Sequence, residues 1–540
     1  MQIQKVRLGN KFVMPFTIPS GIITTEVSAL ERIANDIPEI GILTTKSIGI
    51  EPKAGNREPI IAQYEPYSFV NAVGLTNPGA VEFADKLSKI KIPENKFLLI
   101  SIFGKNAKEF ADVANILKQY ADGFELNLSC PHAQGYGMQL GQDPNMVAEI
   151  ISAVKNITNK PIFAKLTPNA VNIATIAEAA MNAGAYGITA INTVGPGAHL
   201  FDNNYVLTNK VGGMSGKSIK PIGLKCIKDI TEKLGNIPII AGGGIYNAND
   251  ARDYAKFGIS AVSIGTALAG MNQEELKKYF STLVSDLENN TNNTERLIKK
   301  VNMNYRKFNI ASKKSPASDL HILQMNDSFN FSSGQFVFAW LPEKGEKPFS
   351  IAGGYPLTIA FQERGCFTKE LAKLKEGDDI YFRGPYGQKI NIPKEADIIL
   401  VGGGAGIAGI YPFARKYDEK QIVVAIGAKD QEHLLFYDKI KQIKKCNLLA
   451  STEDGSLGHK GYATDLLKTL SNQSNYYFIN CGPKAMVEAA IEIEKNLTTP
   501  DKIFSSIDYM TSCGIGICGK CTDKNGLRTC IEGPFMNEMR

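Results

Sequence analysis

"PIIAGGGI" (238–245) and "AVSIGTA" (261–267) are short apolar runs that each end on glycine. They have the form of strands whose C-terminal ends open into tight turns with accessible backbone N–H groups. Glycine lets the chain approach an anion closely, so such turns suit a phosphate. Six more runs of the same kind precede them: "FTIPSG" (16–21), "ILTTKSIG" (42–49), "FLLISIFG" (97–104), "GFELNLSCP" (123–131), "PIFAKLTPN" (161–169) and "GITAINT" (187–193). Between them lie "NAKEFADVANILKQYADG" (106–123) and "NMVAEIISAVKNIT" (145–158), with apolar residues at helical spacing. Strand-then-helix units repeated eight times predict a (β/α)8 barrel, whose phosphate sites follow strands seven and eight. A doubly wound sheet is the alternative, and the glycine-rich ends of the last two strands favour the barrel. Polar residues at the strand ends then face one pocket: Ser20, Lys46, Asn127, Cys130, Lys165 and Asn192.

Beyond the barrel the character changes. "SDLENNTNNTERLIKK" (285–300) is polar and asparagine-rich and reads as a linker or frayed helix end. We therefore place the barrel at 1–285, a linker at 286–300, a small antiparallel β-barrel at 301–395, an α/β nucleotide-binding domain at 396–500 and a short tail at 501–540. A length of 540 residues demands several cores of this kind. The formal charge of +6 is too dilute for a nucleic-acid partner, and no apolar run reaches the ~18 residues of a membrane span. With no signal-type start, the chain is expected in the cytoplasm.

Four of the nine cysteines crowd the tail: "TSCGIGICGKC" (511–521) holds Cys513, Cys518 and Cys521, and Cys530 follows. A reducing compartment argues against disulfides. The C-x4-C-x2-C spacing matches the first ligands of a plant-type [2Fe–2S] site, with Gly514, Gly516 and Gly519 allowing the loop to curl. Zinc competes, but usually takes two paired knuckles, and only Cys518 and Cys521 form one here.

Upstream, "VGGGAGIAG" (401–409) follows an apolar strand and opens a helix, the context of a dinucleotide pyrophosphate site. The order "KPFSIA" (347–352), "RGCFT" (364–368), "RGPYG" (383–387), "VGGGAGIAG", "NCGPKAM" (480–486) resembles the ferredoxin–NADP reductase superfamily. That resemblance implies FAD on the small barrel at Lys347, Pro348, Phe349, Ser350, Gly365, Phe367 and Thr368. It implies a nicotinamide nucleotide at Gly402, Gly403, Gly404, Gly406, Cys481, Gly482 and Pro483. "STEDGSLGHKGYATDLL" (451–467) and "SCGIGICGKCTDKNGLRTCIEGPF" (512–535) narrow it to the electron-transfer subunit of class 1B dihydroorotate dehydrogenase. There FAD accompanies one [2Fe–2S] cluster, implying Cys513, Cys518, Cys521 and Cys530 as ligands. Lys347 stands where that family usually has arginine, losing the bidentate fork.

In the first half, "TTKSIGIEPKAGN" (44–56), "NAVGLTNPG" (71–79), "ELNLSCPHAQGYG" (125–137), "GGMSGKSIKP" (212–221), "AGGGI" and "IGTA" resemble the FMN-binding catalytic subunit of the class 1 enzymes, over nearly all of residues 1–285. The resemblance implies FMN at Ser20, Gly21, Lys46, Ser47, Asn127, Lys165, Ile191, Ser215, Gly216, Gly243, Gly244, Gly265 and Thr266. It implies a pyrimidine carboxylate at Lys46, Asn71, Val73, Gly74, Leu75, Asn127, His132, Asn192 and Thr193. Cys130 is the expected base, since a thiol's pKa is tunable near neutrality, with Lys46 and Lys165 as the catalytic cations. His132 stands where dihydroorotate enzymes usually have asparagine, and "NLSCPH" also occurs in dihydropyrimidine dehydrogenases.

Together the resemblances imply a fusion of two subunits that oxidises dihydroorotate to orotate in pyrimidine biosynthesis. Electrons would pass from FMN through [2Fe–2S] and FAD to NAD, in a homodimer with no membrane or nucleic-acid partner. A uracil-reducing dihydropyrimidine dehydrogenase is one alternative, but the [4Fe–4S] cysteine runs of those enzymes are absent. A general electron-delivery module docked on a protein partner is the other.

Overall fold

All eight expected strands form, and they close on one another. In the computed structural model, which describes residues 3–128, 140–393, 395–470, 476–507 and 510–539, they are β1 (Phe16–Ile18), β2 (Ile42–Thr44), β3 (Phe97–Ile102), β4 (Gly123–Asn127), β5 (Ile162–Lys165), β6 (Gly187–Ala190), β7 (Ile239–Gly242) and β8 (Ala261–Ser263). Each pairs in parallel with its neighbours around a closed barrel. Strands covered on both faces read as continuous apolar runs, and every residue of β3 is buried. The helix Ala107–Leu117 buries Ala107, Phe110, Val113, Ala114 and Leu117 along one stripe. Asn106 starts it by accepting the Glu109 N–H at 2.9 Å, a cap worth ~1 kcal/mol.

Two features of this half were not expected. A hairpin, Val6–Leu8 with Lys11–Val13, buries Leu8 and Val13 against Ile42, Phe97, Leu99, Phe163, Ile240 and Ala261. An antiparallel sheet is also inserted after β2 and β6, in the order Val194–Ala198, Val211–Gly216, Ser68–Asn71, Ile61–Glu65. Its segments "VGPGA" and "VGGMSG" carry one valine each among glycines, and cross-strand pairing supplies what propensity does not.

The expected linker is a built cap. Asp286, 1% exposed, accepts hydrogen bonds from Thr291, Asn293 and Thr294, the last through both its backbone N–H (2.7 Å) and its hydroxyl (2.9 Å). Burial opposes its ionisation, yet these donors hold its carboxyl down to about 2. Thr291, Asn293 and Thr294 are thus donors to one carboxylate, while Asn289 donates to Ser285 and Asn292 to Glu295.

The chain divides into two compact units, Met1–Asn302 with Ile515–Leu527, and Met303–Gly514 with Arg528–Arg540. In the second, seven antiparallel strands run from Gly345–Ser350 at one edge to Gly353–Gly354 at the other. Where a small barrel was expected, the described residues form an antiparallel sheet with two edges, whose edge strands are consecutive in the chain. Next comes a seven-stranded, mostly parallel sheet ordered His459–Lys460, Cys446–Thr452, Ile422–Ala428, Asp397–Gly403, Tyr476–Cys481, Ile503–Ser506, Met536–Asn537. The last two strands cross the boundary drawn at residue 500. The 501–540 segment is therefore no separate body: part completes this sheet and Ile515–Leu527 belongs to the first unit. Among the described residues no helix is long and apolar enough to cross a membrane.

Behind this sheet lies a buried acid. Glu494 accepts from Asn480 Nδ2 at 2.7 Å, while its Oε1 has no partner among the described residues. Burial raises its pKa from the usual 4.5 to about 8. The unfolded chain releases this proton at lower pH than the folded one, so Glu494 costs increasing stability as pH rises from about 4.5 to about 8. Glu494→Gln removes that dependence. Its stability advantage in urea unfolding should widen by about 2–3 kcal/mol between pH 6 and pH 9; a constant difference would contradict a neutral buried carboxyl.

Candidate active site

The C-terminal ends of the barrel strands open into one cavity. From β1 come Pro19, Ser20, Gly21 and Ile22, and after β2 come Lys46 and Ser47. Asn127, Lys165, Thr189, Ile191, Asn192 and Thr193 follow from β4, β5 and β6. Gly242, Gly243 and Gly244 end β7, and Ser263, Gly265 and Thr266 lie on and after β8. The inserted sheet adds Ile61, Asn71, Ser215 and Gly216, with Val73, Gly74 and Leu75 just beyond it. Every residue expected at FMN lines this cavity. So does every residue expected at the substrate except His132, which with Cys130 lies outside the described residues.

The lining is organised by side-chain hydrogen bonds. Ser47 Oγ lies 3.0 Å from Ser20 Oγ and 2.9 Å from Ser101 Oγ, and it accepts Asn127 Nδ2–H at 3.0 Å. Asn192 Nδ2 donates to Asn127 Oδ1 at 3.3 Å, and Asn71 Nδ2 to the Gly213 carbonyl at 3.1 Å. Lys46 and Lys165 are both buried, so two cations face a largely apolar hollow. A side chain at Gly21 would stand 3.1 Å from Lys46 Nζ, which explains glycine there.

The glycines after β7 and β8 form a cradle at the other end. Gly216, Gly243 and Gly244 have φ of 105°, 129° and 72°, a region other residues rarely adopt. A Cβ at Gly216 would overlap the Tyr67 carbonyl, and one at Gly244 would come within 2.9 Å of the Gly216 carbonyl. Tyr246 O–H donates to the Tyr67 carbonyl at 2.7 Å and lies 3.1 Å from Thr266 Oγ1. Such a glycine cradle on the cavity wall fits a phosphate group. Thr189 adds a second sign of a ligand: its Oγ1 is buried on the cavity wall and has no hydrogen-bond partner among the described residues. Donors at both ends and apolar residues between them fit a flavin mononucleotide. Thr189 was missed because it reads as a strand-forming residue.

Two further wall residues, Ile517 and Cys518, come from the cysteine-rich loop. Ile23 N–H donates to the Ile517 carbonyl at 2.6 Å, Gly270 N–H to Ile515 at 2.9 Å and Thr25 Oγ1–H to Cys518 at 2.7 Å. Ser28 Oγ–H reaches the Asp523 carbonyl at 2.9 Å, and Lys520 pairs with Glu58 at 3.9 Å. Gly519 packs so close to the Ile23 carbonyl that a Cβ would overlap it. In the second unit, Arg383 donates to the Cys513 carbonyl at 2.9 Å while gripping both Glu346 oxygens at 2.6 Å. Cys513, Cys518, Cys521 and Cys530 are all buried. Among the described residues no three His, Cys, Asp or Glu side chains gather closely enough to hold a metal ion. Three thiols lie on the glycine-curled run 513–521 and Cys530 in the helix Thr529–Glu532, and thiols are the donor type an iron–sulfur cluster takes.

The nucleotide motifs also come together. Gly402 pairs with Cys481 across the parallel strands Asp397–Gly403 and Tyr476–Cys481, where the strand order reverses direction. A crevice at such a point is where open α/β sheets bind ligands. Gly403, Gly404 and Gly406 lead into the helix Ile407–Lys416, and a Cβ at Gly406 would overlap the Cys481 carbonyl. Gly482 and Pro483 follow that strand. On the antiparallel sheet, Lys347, Pro348, Phe349 and Ser350 end one strand, and Phe349 and Phe367 rings lie 6.2 Å apart. Thr368 Oγ1 accepts the Gly365 N–H at 3.0 Å and so caps its own helix.

Residues 3–287 match the family model for dihydroorotate dehydrogenase. The catalytic subunit of dihydroorotate dehydrogenase B (NAD(+)) from Methanocaldococcus jannaschii is 41% identical over 295 residues, covering 54% of this chain and 95% of that protein. Its counterpart from Pyrococcus abyssi is 44% identical over 261 residues, 48% and 85% of the two chains. A solved structure concerned with the NADH-dependent reduced ferredoxin-NADP oxidoreductase is 30% identical, covers 43% of this chain and 88% of that one, and has a TM-score of 0.40. With a family match over more than half its length, the chain belongs to the dihydroorotate dehydrogenase family.

Proposed function

We propose that this chain oxidises dihydroorotate to orotate and delivers the electrons to NAD+ as one step of pyrimidine biosynthesis. The observation that carries the reading is the single cavity in which the expected FMN and substrate residues converge with Cys518 in its wall. FMN would accept the hydride at the barrel, a [2Fe–2S] cluster on Cys513, Cys518, Cys521 and Cys530 would carry single electrons, and FAD would pair them for NAD+.

The chain's own residues divide the remaining work. Cys130 takes the proton from C5 of the ring, as general base. Lys46 receives the substrate carboxylate together with the backbone amides of Gly74 and Leu75, and Asn71, Asn127, Asn192 and Thr193 orient the ring. Lys165 stabilises the negative charge that arrives with the hydride. Gly216, Gly243, Gly244, Gly265 and Thr266 hold the phosphate. FAD belongs to the strand ending at Ser350, and NAD to the crevice between Gly403 and Cys481. The assembly is a two-fold homodimer in the cytoplasm; light scattering that gives a monomer with full activity would contradict the dimer.

Cys130→Ala should keep FMN but slow flavin reduction by dihydroorotate by about two to four orders of magnitude, the worth of a positioned base. Near-normal single-turnover reduction would remove Cys130 from this role. Cys518→Ser should abolish iron–sulfur absorbance and NAD+ reduction while dihydroorotate still bleaches FMN. Bound zinc without iron or sulfide in anaerobically prepared protein would refute the cluster.

A further inference from the structure

Lys165 does not face the cavity alone. Its Nζ lies 3.2 Å from Glu125 Oε1, and the two side chains are 7% and 2% exposed. The same oxygen accepts Ser101 Oγ–H at 3.0 Å. Ser101 lies 2.9 Å from Ser47, the hydroxyl that organises Ser20 and Asn127 in the cavity wall. Pairing places Ser101 beside Glu125 and Asn127 beside Lys165. Side chains alternate along a strand, so Glu125 and Asn127 share the inward face of β4, with Glu125 one layer beneath the cavity. Glu125 is not part of the cavity wall, and none of the roles assigned above uses it.

Charge accounting gives this carboxylate a purpose. Lys46 and Lys165 bring two positive charges to the wall, and Glu125 returns one negative charge directly behind Lys165. Interactions between charges at this separation are strong in a water-poor interior. A flavin that gains electrons gains negative charge, so the positive charge it meets governs how readily it is reduced. Resting on the reading of the cavity as an FMN site, we infer that Glu125 is a positioning residue that aims the Lys165 ammonium and lowers the reduction potential of the bound flavin. A lower potential makes the reduced flavin readier to release its electrons onward. Ser101 takes part by donating to Glu125, which disperses the carboxylate's charge.

The test is a dye-mediated anaerobic titration of the holoenzyme that resolves the FMN midpoint potential from that of FAD. Glu125→Gln keeps the size and the acceptor for Ser101 but removes the charge, and should move the FMN midpoint in the positive direction with FMN content unchanged. Ser101→Ala, a milder change, leaves the carboxylate less dispersed and should move the midpoint the opposite way. A purely structural Glu125 would move neither. An unchanged midpoint in FMN-replete Glu125→Gln overturns the inference. If that variant does not fold, an unchanged or positive shift in Ser101→Ala overturns it. Parent protein that binds no FMN would overturn the reading of the cavity as well, which separates the two failures.

Discussion

Three hydrogen bonds carry the architecture on which the function rests. Ile23 N–H to Ile517, Gly270 N–H to Ile515 and Thr25 Oγ1–H to Cys518 fasten a loop near the end of the chain onto the loops that follow the first and last barrel strands. Each is worth about 0.5–1.5 kcal/mol, and together they must offset the entropy of closing a loop of several hundred residues. That cost grows only logarithmically with loop length, so these bonds, with Ser28 Oγ–H to the Asp523 carbonyl, offset part of it and fix the register of the loop. All three acceptors are main-chain carbonyls, so the register depends on the loop's curl and not on the identity of its side chains. Glycine at 519 follows from the same constraint, because the loop passes within contact of the Ile23 carbonyl.

The consequence for chemistry is that Cys518 belongs to the wall of the cavity that collects Lys46, Asn127 and Lys165. Electron transfer weakens steeply with distance, so under the proposed function Cys518, as a cluster ligand in this wall, would be well placed to take electrons from a flavin in the cavity. Within the second unit, Cys513 is held through its carbonyl by Arg383, whose charge is balanced by Glu346 and whose face lies 4.0 Å from the Phe338 ring centre. A buried ion pair of this kind contributes little net stability, and loses much if one partner is removed. Its value here is directional, since a guanidinium engaged on both edges leaves the loop backbone one place to sit.

The barrel was legible because parallel strands buried on both faces leave an unmistakable apolar run, as at "FLLISI". The cavity was legible because catalysis concentrates lysine, asparagine and glycine at strand ends. What sequence hid has physical reasons. The inserted sheet is built from "VGPGA" and "VGGMSG", whose pairing partners decide their structure. The 286–300 segment looked like a linker because its polar residues serve Asp286, a partner that no local pattern reveals. The tail looked like one small domain because composition cannot show that Ile503–Ser506 joins a sheet while Ile515–Leu527 packs with the barrel unit. Glu125 escaped notice because a strand's inward acid is visible as a partner of Lys165 only once β4 and β5 are in register.

Under the proposed function, a substrate oxidised in the barrel cavity empties its electrons through the cysteine loop. Anaerobic addition of dihydroorotate to the purified protein, followed by absorbance and by electron paramagnetic resonance, tests it most directly. Dihydroorotate alone should bleach flavin and produce the signal of a reduced [2Fe–2S] cluster, and NAD+ should then reverse both. Flavin and cluster that respond to NADH but remain oxidised with dihydroorotate would contradict it.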